Sequence, residues 1–182
     1  MSAASAARLM VSAIAAGQGI LPVFIDLNRT HATNPLWPGH ARFHLVQQVF
    51  TLLPAAGLEL ALLWWPGPGM GVRFYWAALL TATPLAGFLV ATVARPLYGG
   101  ALHDPNGIPP IRLHFGSREF VFDMNVPIVI VAASLLILAV ILFWQDDSWL
   151  PHPRDALYLS QGWDRSTSGA APVGDNSQFF SS

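Results

Sequence analysis

The sequence contains no cysteine and no lysine, and only 10% of its 182 residues are charged. Without cysteine the chain can form neither disulfides nor thiolate metal sites, and it has no thiol nucleophile. Its basic residues are nine arginines, and ten acidic residues bring the formal net charge to −1. This balance gives no basic surface for a phosphate backbone, so we expect no nucleic-acid partner.

Hydrophobic residues are abundant where charge is scarce, and they make up 53% of the chain. The surface of a soluble domain normally needs about a quarter of all residues to be charged. The composition therefore predicts that the lipid bilayer is part of the surroundings of this protein.

Four apolar stretches are long enough, or nearly so, to cross a hydrocarbon core, which takes about 20 helical residues. They cover residues 9–25, 45–65, 74–94 and 126–144. We therefore predict an all-α fold, an integral membrane bundle of four transmembrane helices within residues 1–145.

The two ends of the chain have different predictions. Residues 146–182 lack the apolar surface that would offset the entropy of ordering them, so we expect a polar, mostly disordered C-terminal tail. The first apolar stretch has a second interpretation, in which residues 1–17 belong to a cleaved secretory signal.

Four crossings place alternate loops on the same side of the membrane. Residues 26–39 and 96–125 would then share one face. Arginines near the spans are more frequent on that face, and the positive-inside tendency then favours the cytosol for both loops.

Glu59 lies inside the second span, where an isolated charge costs several kcal/mol. We expect it to pair with Arg73, just beyond the next turn. The alternatives are a side chain that extends to the opposite face and a protonated carboxyl beside Gln18.

The segment between the first two spans is the most polar part of the chain, and residues 26–44 contain three of the six histidines. His40 and His44 are four residues apart at the expected start of a helix, so their side chains project from one face. Two such imidazoles can bind a divalent metal such as iron, copper or zinc, with His31 or Asp26 as a further ligand. They can also transfer protons. The third interpretation is structural, because histidines at an interface can simply bond to backbone and headgroups.

The second loop returns to the same face with His103 and Asp104, the latter in an Asp-Pro-Asn-Gly turn sequence. A long segment with few helix formers is more often a binding loop or lid than an idle connection. We expect His103 or Asp104 to close over His40 and His44.

These motifs resemble a small uncharacterised family of four-span membrane proteins from bacteria and fungi. The resemblance rests on Asp-x-Asn-x-Thr-His, Asn-Pro-x-Trp and His-Ala-Arg-Phe-His, with Tyr-Gly-Gly and Asp-Pro-Asn-Gly later in the chain, and it covers roughly residues 10–144. More loosely, the layout is similar to the emopamil-binding sterol isomerases and to anthrone-oxygenase-like proteins of polyketide pathways. These similarities imply a lipophilic substrate that enters between helices.

We therefore expect a multi-pass membrane enzyme that acts on a lipophilic small molecule, by metal-dependent oxidation or by acid/base isomerisation, as one tailoring step of a biosynthetic pathway. The candidate catalytic residues are His40, His44, His31 and Asp26, and the three histidines are also the candidate metal ligands. The candidate substrate-binding residues are Arg42, Asn28, Asn34, His103 and Asp104. The alternative is a non-catalytic membrane subunit, or a transport or assembly factor, whose polar loops dock a partner protein.

Overall fold

The computed structural model of the chain describes residues 1–103 and 109–146. In chain order the elements are α1 (Ala3–Ile25), α2 (Gly39–Trp64), α3 (Met70–Tyr98), β1 (Ile111–Phe115), β2 (Arg118–Phe122) and α4 (Asn125–Trp144). All four helices are long and apolar enough to cross a membrane, which confirms the predicted helical membrane bundle. From position 147 onward, the predicted disordered tail is not among the described residues.

Two helices, α1 and α3, extend beyond their apolar stretches where local backbone and side-chain groups complete the helix end. The Ser2 hydroxyl accepts a hydrogen bond from the Ser5 backbone N–H at 3.1 Å, so α1 starts six residues before the predicted span. α3 ends at Tyr98, and the next residue, Gly99, has a φ of 68°, in the left-handed region that glycine adopts without strain. α1 thus begins before its apolar stretch, and α3 continues beyond its own.

Two prolines, Pro84 and Pro96, lie inside α3 without ending it. Each proline leaves the carbonyl four residues earlier without its helical N–H partner. The Thr83 hydroxyl donates to the first of these carbonyls at 2.7 Å, and the Arg95 Nε donates to the second at 2.8 Å. Side chains that precede the prolines therefore replace the lost hydrogen bonds.

Each helix packs against the next one in sequence, and α4 packs against α1, so the four helices form a closed ring. The buried apolar core consists of Ala4, Ala7, Val11, Ile14, Leu63, Phe74, Ala77, Ala78, Leu85, Leu136, Ala139 and Phe143. The rings of Phe74 and Phe143 stack with their centroids 3.8 Å apart. Most of these residues lie toward the start of α1 and α3 and the end of α2 and α4, so the tightly packed core occupies one end of the bundle.

α1 and α2 approach each other closely at Gly19. A Cβ added there would lie 2.5 Å from the Cβ of Ala56, well inside van der Waals contact. Small residues at such crossings let two membrane helices come together.

The predicted ion pair between Glu59 and Arg73 was wrong. Glu59 is 3% exposed, and its carboxyl lies 2.6 Å from the Thr81 hydroxyl, while Gln18 donates to the Thr81 carbonyl at 3.1 Å. α2 therefore directs the Glu59 side chain into the bundle. There it lies near Gln18, as in the alternative that placed a protonated carboxyl beside that residue. Arg73 instead donates to three carbonyl oxygens of the α2–α3 turn, those of Trp65, Gly67 and Pro68.

The segment 96–125 contains a β-hairpin that the sequence did not lead us to expect. β1 and β2 pair antiparallel, and a two-residue turn joins them with Gly116 at a φ of 62°. The residues of β1 alternate between apolar and polar, a period-2 pattern that the interpretation as a single loop overlooked, whereas those of β2 do not alternate.

Candidate functional site

A cavity of about 510 Å³ opens at the end of the bundle opposite the tight core. Its volume falls within the range of small-molecule sites. Its wall is formed by the end of α1, the connection between α1 and α2, the segments on both sides of the hairpin and the start of α4: Ile25, Asp26, His31, Trp37, Ala101, Leu102, His103, Pro109, Pro110, Asp123, Met124, Asn125 and Ile128. Both long connections contribute, so they meet at the same end of the bundle. Their cytosolic location stays a prediction.

Asn28 anchors the polar segment to the end of α1. Its Nδ2 donates to the carbonyl oxygens of Phe24 and Ile25, both at 2.8 Å. These are among the last carbonyls of the helix, which have no partner within it. Its Oδ1 accepts from the Thr30 backbone N–H at 2.8 Å and from the Thr30 hydroxyl at 2.6 Å. Since Nδ2 faces two carbonyls and Oδ1 faces an N–H, the orientation of the amide is determined.

This arrangement assigns the tautomer of His31. The Thr30 hydroxyl carries a single hydrogen, which it donates to Asn28. Its oxygen lies 2.7 Å from Nδ1 of His31, so the imidazole must donate that hydrogen bond through Nδ1. In the neutral ring the proton then resides on Nδ1, and Nε2 holds a free lone pair that can accept a proton.

Asp26 follows the last residue of α1 and lines the same cavity as His31. Burial raises the pKa of its carboxyl above the ordinary value, and the nearby His31 opposes that effect. Within the described part of the chain no group donates a hydrogen bond to this carboxyl. Asp26 therefore retains a proton at a higher pH than an exposed aspartate would.

Three further polar residues of the cavity wall, Trp37, Asp123 and Asn125, were missed by the sequence analysis. The indole Nε1 of Trp37 is buried and has no acceptor among the described residues, and its ring meets His31 edge-on with centroids 5.1 Å apart. Asp123 accepts from the Asn125 backbone N–H at 2.9 Å at the start of α4. The sequence did contain a signal for Trp37, because it lies in the Asn-Pro-x-Trp motif between the predicted histidines.

His40 and His44 lie on the first turns of α2 and form a pair of their own. Their Nε2 atoms are 3.0 Å apart, and His44 Nδ1 lies 3.3 Å from Gln47 Oε1. Both imidazoles are exposed, and neither lines the cavity. The predicted catalytic set is therefore divided between the cavity, which holds Asp26 and His31, and the outer surface of α2.

The same division affects the predicted metal site. In residues 1–103 and 109–146, no three His, Asp or Glu side chains form a group that could hold a metal ion. The set of His31, His40 and His44 is thus not assembled in one place, and metal binding stays a prediction.

The predicted substrate-binding residues also separate. His103 lines the cavity, whereas Asn28 and Asn34 shape the polar segment. Asn34 is 3% exposed and accepts from the Leu36 backbone N–H at 3.0 Å. Arg42 does not line the cavity, and its buried Nε lacks an acceptor among the described residues. Asp104 lies outside the described ranges.

Comparison with known proteins gives a family without a known activity. A family model described as a family of unknown function, DUF6640, matches residues 9–109, more than half of the chain. The searches of curated proteins and of solved structures gave no match. The matched segment contains Asp26, His31, Trp37 and His103, whereas the hairpin and α4 lie beyond it. The chain belongs to the DUF6640 family.

Proposed function

We propose that this protein is a membrane enzyme that isomerises a lipophilic small molecule by proton transfer in the cavity at the loop end of the bundle. The observation that carries the proposal is the chain of hydrogen bonds from Asn28 through Thr30 to His31, which leaves His31 Nε2 as a proton acceptor in a residue of the cavity wall. Asp26 lies in the same wall, and because burial raises the pKa of its carboxyl we assign it the role of proton donor.

The proposed step is a shift of a carbon–carbon double bond. His31 Nε2 accepts the proton from an allylic carbon, and the electron pair of the broken C–H bond forms the new double bond. The electron pair of the old double bond takes the proton of the Asp26 carboxyl. Transfer of a proton from His31 back to Asp26 through solvent then restores both groups, so the reaction needs no oxidant or reductant.

The cavity wall supports a substrate that is mostly hydrocarbon with one polar end. Its apolar residues include Leu102, Met124 and Ile128. The Trp37 indole N–H is a donor without an acceptor among the described residues, and it suits a carbonyl or hydroxyl oxygen of the substrate. Such a molecule partitions into the bilayer, and the resemblance to membrane enzymes of biosynthetic pathways supports the same substrate class. The arginine excess supports a cytosolic location of this end.

Deuterium incorporation tests the proposal for any lipophilic substrate, whatever its structure. The protein in phosphatidylcholine nanodiscs is incubated in D₂O with a lipid extract of its own cells, and the extract is then analysed by mass spectrometry. We expect a lipophilic compound to gain deuterium from solvent with the wild-type protein and not with His31→Gln or Asp26→Asn. His40→Gln, which changes an exposed histidine outside the cavity, is the matched control and should incorporate deuterium normally. Equal incorporation with all three variants would contradict the proposal.

A second candidate function, a non-catalytic subunit, draws support from the outer face of α2. His40, His44 and Gln47 form an exposed, hydrogen-bonded polar group on a helix that enters the membrane. Polar side chains on membrane helices usually face protein or water. This function predicts that a photo-crosslinking residue at position 47 joins the chain to another polypeptide in native membranes. The same residue at Ile137, an exposed apolar position of α4, should crosslink to lipid.

A further inference from the structure

The β-hairpin between α3 and α4 has one apolar face and one charged face. Alternate residues of a strand point to opposite sides, and cross-strand partners share a side. Leu113 therefore shares its face with its partner Phe120, and the rings of Phe115 and Phe120 meet on that face with centroids 6.0 Å apart. Ile111 belongs to the same face.

The opposite face of the hairpin carries three of its four ionisable side chains, together with Val121. Arg112 donates to Glu119 at 3.0 Å, and His114 lies 3.9 Å from the same carboxylate. Since these charges are exposed and pair with one another across the strands, this face suits contact with water. The apolar face has no such compensation, and Leu113, Phe115 and Phe120 are 42%, 67% and 42% exposed.

The hairpin is also held close to the bilayer. β2 ends at Phe122 and α4, a membrane-crossing helix, begins at Asn125. The two residues between them can span roughly 10 Å at most, because an extended chain advances about 3.3–3.6 Å per residue. The hairpin therefore cannot leave the membrane surface at that end.

We propose that the hairpin lies flat on the bilayer, with its apolar face, defined by Ile111, Leu113, Phe115 and Phe120, in the interfacial region of the lipid. A two-stranded hairpin alone in water is marginally stable, and contact with lipid supplies the apolar partner that its exposed face lacks. Arg118, cross-strand partner of Phe115 at the tip, lies on this face and suits a lipid phosphate, which its guanidinium reaches while its stem stays in apolar surroundings.

This placement also positions the cavity. Pro109 and Pro110 precede β1, Asp123 and Met124 follow β2, and all four line the cavity. A hairpin fixed to the lipid surface therefore holds two parts of the cavity wall at the depth where lipid chains meet headgroups. The inference rests on the hairpin and its tether, and it does not depend on the proposed reaction.

The test uses the natural absence of cysteine. Single variants Leu113→Cys and His114→Cys, neighbours on β1 that point to opposite faces, are labelled with an environment-sensitive nitrobenzoxadiazole dye in phosphatidylcholine nanodiscs. Phe120→Cys and Val121→Cys provide the same comparison on β2, so the result does not depend on one variant. Brominated phosphatidylcholine and aqueous iodide then quench the dye from lipid and from water, respectively.

We expect the dye at positions 113 and 120 to emit at shorter wavelength, to be quenched by brominated lipid and to be shielded from iodide. The dye at positions 114 and 121 should show the reverse. Equal quenching on both faces would overturn the proposal. Shielding of 113 and 120 from iodide without quenching by brominated lipid would also overturn it, because protein, such as a second copy of the chain, would then cover the face.

Discussion

Replacement of Thr30 by valine tests the assignment of the His31 tautomer, on which the proposed chemistry depends. Valine keeps the branched shape of threonine but removes the hydroxyl that bonds to Asn28 at 2.6 Å and to His31 at 2.7 Å. Asn28 keeps the Thr30 backbone N–H as a donor, so the His31 Nδ1–H loses its partner while the polar segment keeps its anchor.

The expected size of the effect follows from the single bond that the imidazole loses. A hydrogen bond of this kind contributes about 0.5–1.5 kcal/mol net. At 25 °C that free energy changes the ratio of the two neutral tautomers by roughly two- to twelve-fold, in favour of the Nε2–H form. The base at Nε2 becomes less available, so we expect deuterium incorporation to slow by at most that factor.

Two-bond ¹⁵N–¹H correlation spectra of protein labelled in its histidines distinguish the two tautomers directly. The signal of His31 is identified by its loss in His31→Gln. The wild type and Thr30→Ser, which retains the hydroxyl, should show Nδ1–H at His31, and Thr30→Val should shift toward Nε2–H. A wild-type spectrum with His31 in the Nε2–H form would refute the direction of the hydrogen-bond chain and with it the role of Nε2 as base.

Three further changes test other parts of the structure. Burial raises the pKa of Asp26, so folded protein keeps the proton of this carboxyl to a higher pH than unfolded protein does. Stability against heat should therefore fall as pH rises above the ordinary aspartate pKa of 3.8. Asp26→Asn should flatten that dependence in thermal unfolding scans. Glu59→Gln keeps a hydrogen-bond acceptor in the bundle and should leave deuterium incorporation unchanged. Gly19→Ala places a Cβ 2.5 Å from that of Ala56 and should destabilise the bundle by about 1–3 kcal/mol in denaturant titrations, whereas Gly17→Ala, whose Cβ would meet the Leu21 side chain at an ordinary 3.9 Å, should not.

The transmembrane helices could be predicted because hydropathy over about 20 residues is a property of the sequence itself. The ends of the helices depend on individual hydrogen bonds, such as the one from Ser5 to Ser2, and average hydropathy does not contain them. The orientation of Glu59 depends on which face of α2 packs inward. A lone acid inside a span indicates only that a partner exists, and both Arg73 and Gln18 were within reach along the chain.

Three of the predicted site residues line one cavity, while their role stays a prediction. His31, Asp26 and His103 come together at the expected end of the bundle. The helical spacing of His40 and His44 correctly indicated that they are neighbours, and their Nε2 atoms are 3.0 Å apart. Spacing along one helix gives no information on whether that face points into a cavity or away from the bundle, and this is why the pair was expected at the centre.

The position of the cavity follows from the uneven packing of the bundle. Alanines such as Ala4, Ala7 and Ala139 are fully or almost fully buried and let the helices close at one end, where Phe74 and Phe143 stack. Toward the other end of α1 no residue beyond Gly19 is buried, so the helices there leave space between them. Polar groups can occupy such space because water reaches them. Asn28 donates hydrogen bonds to the last carbonyls of α1 and so holds in place the segment that carries His31. The tight end thus contains most of the buried core, and the cavity lies at the other end, where few core contacts are lost to it.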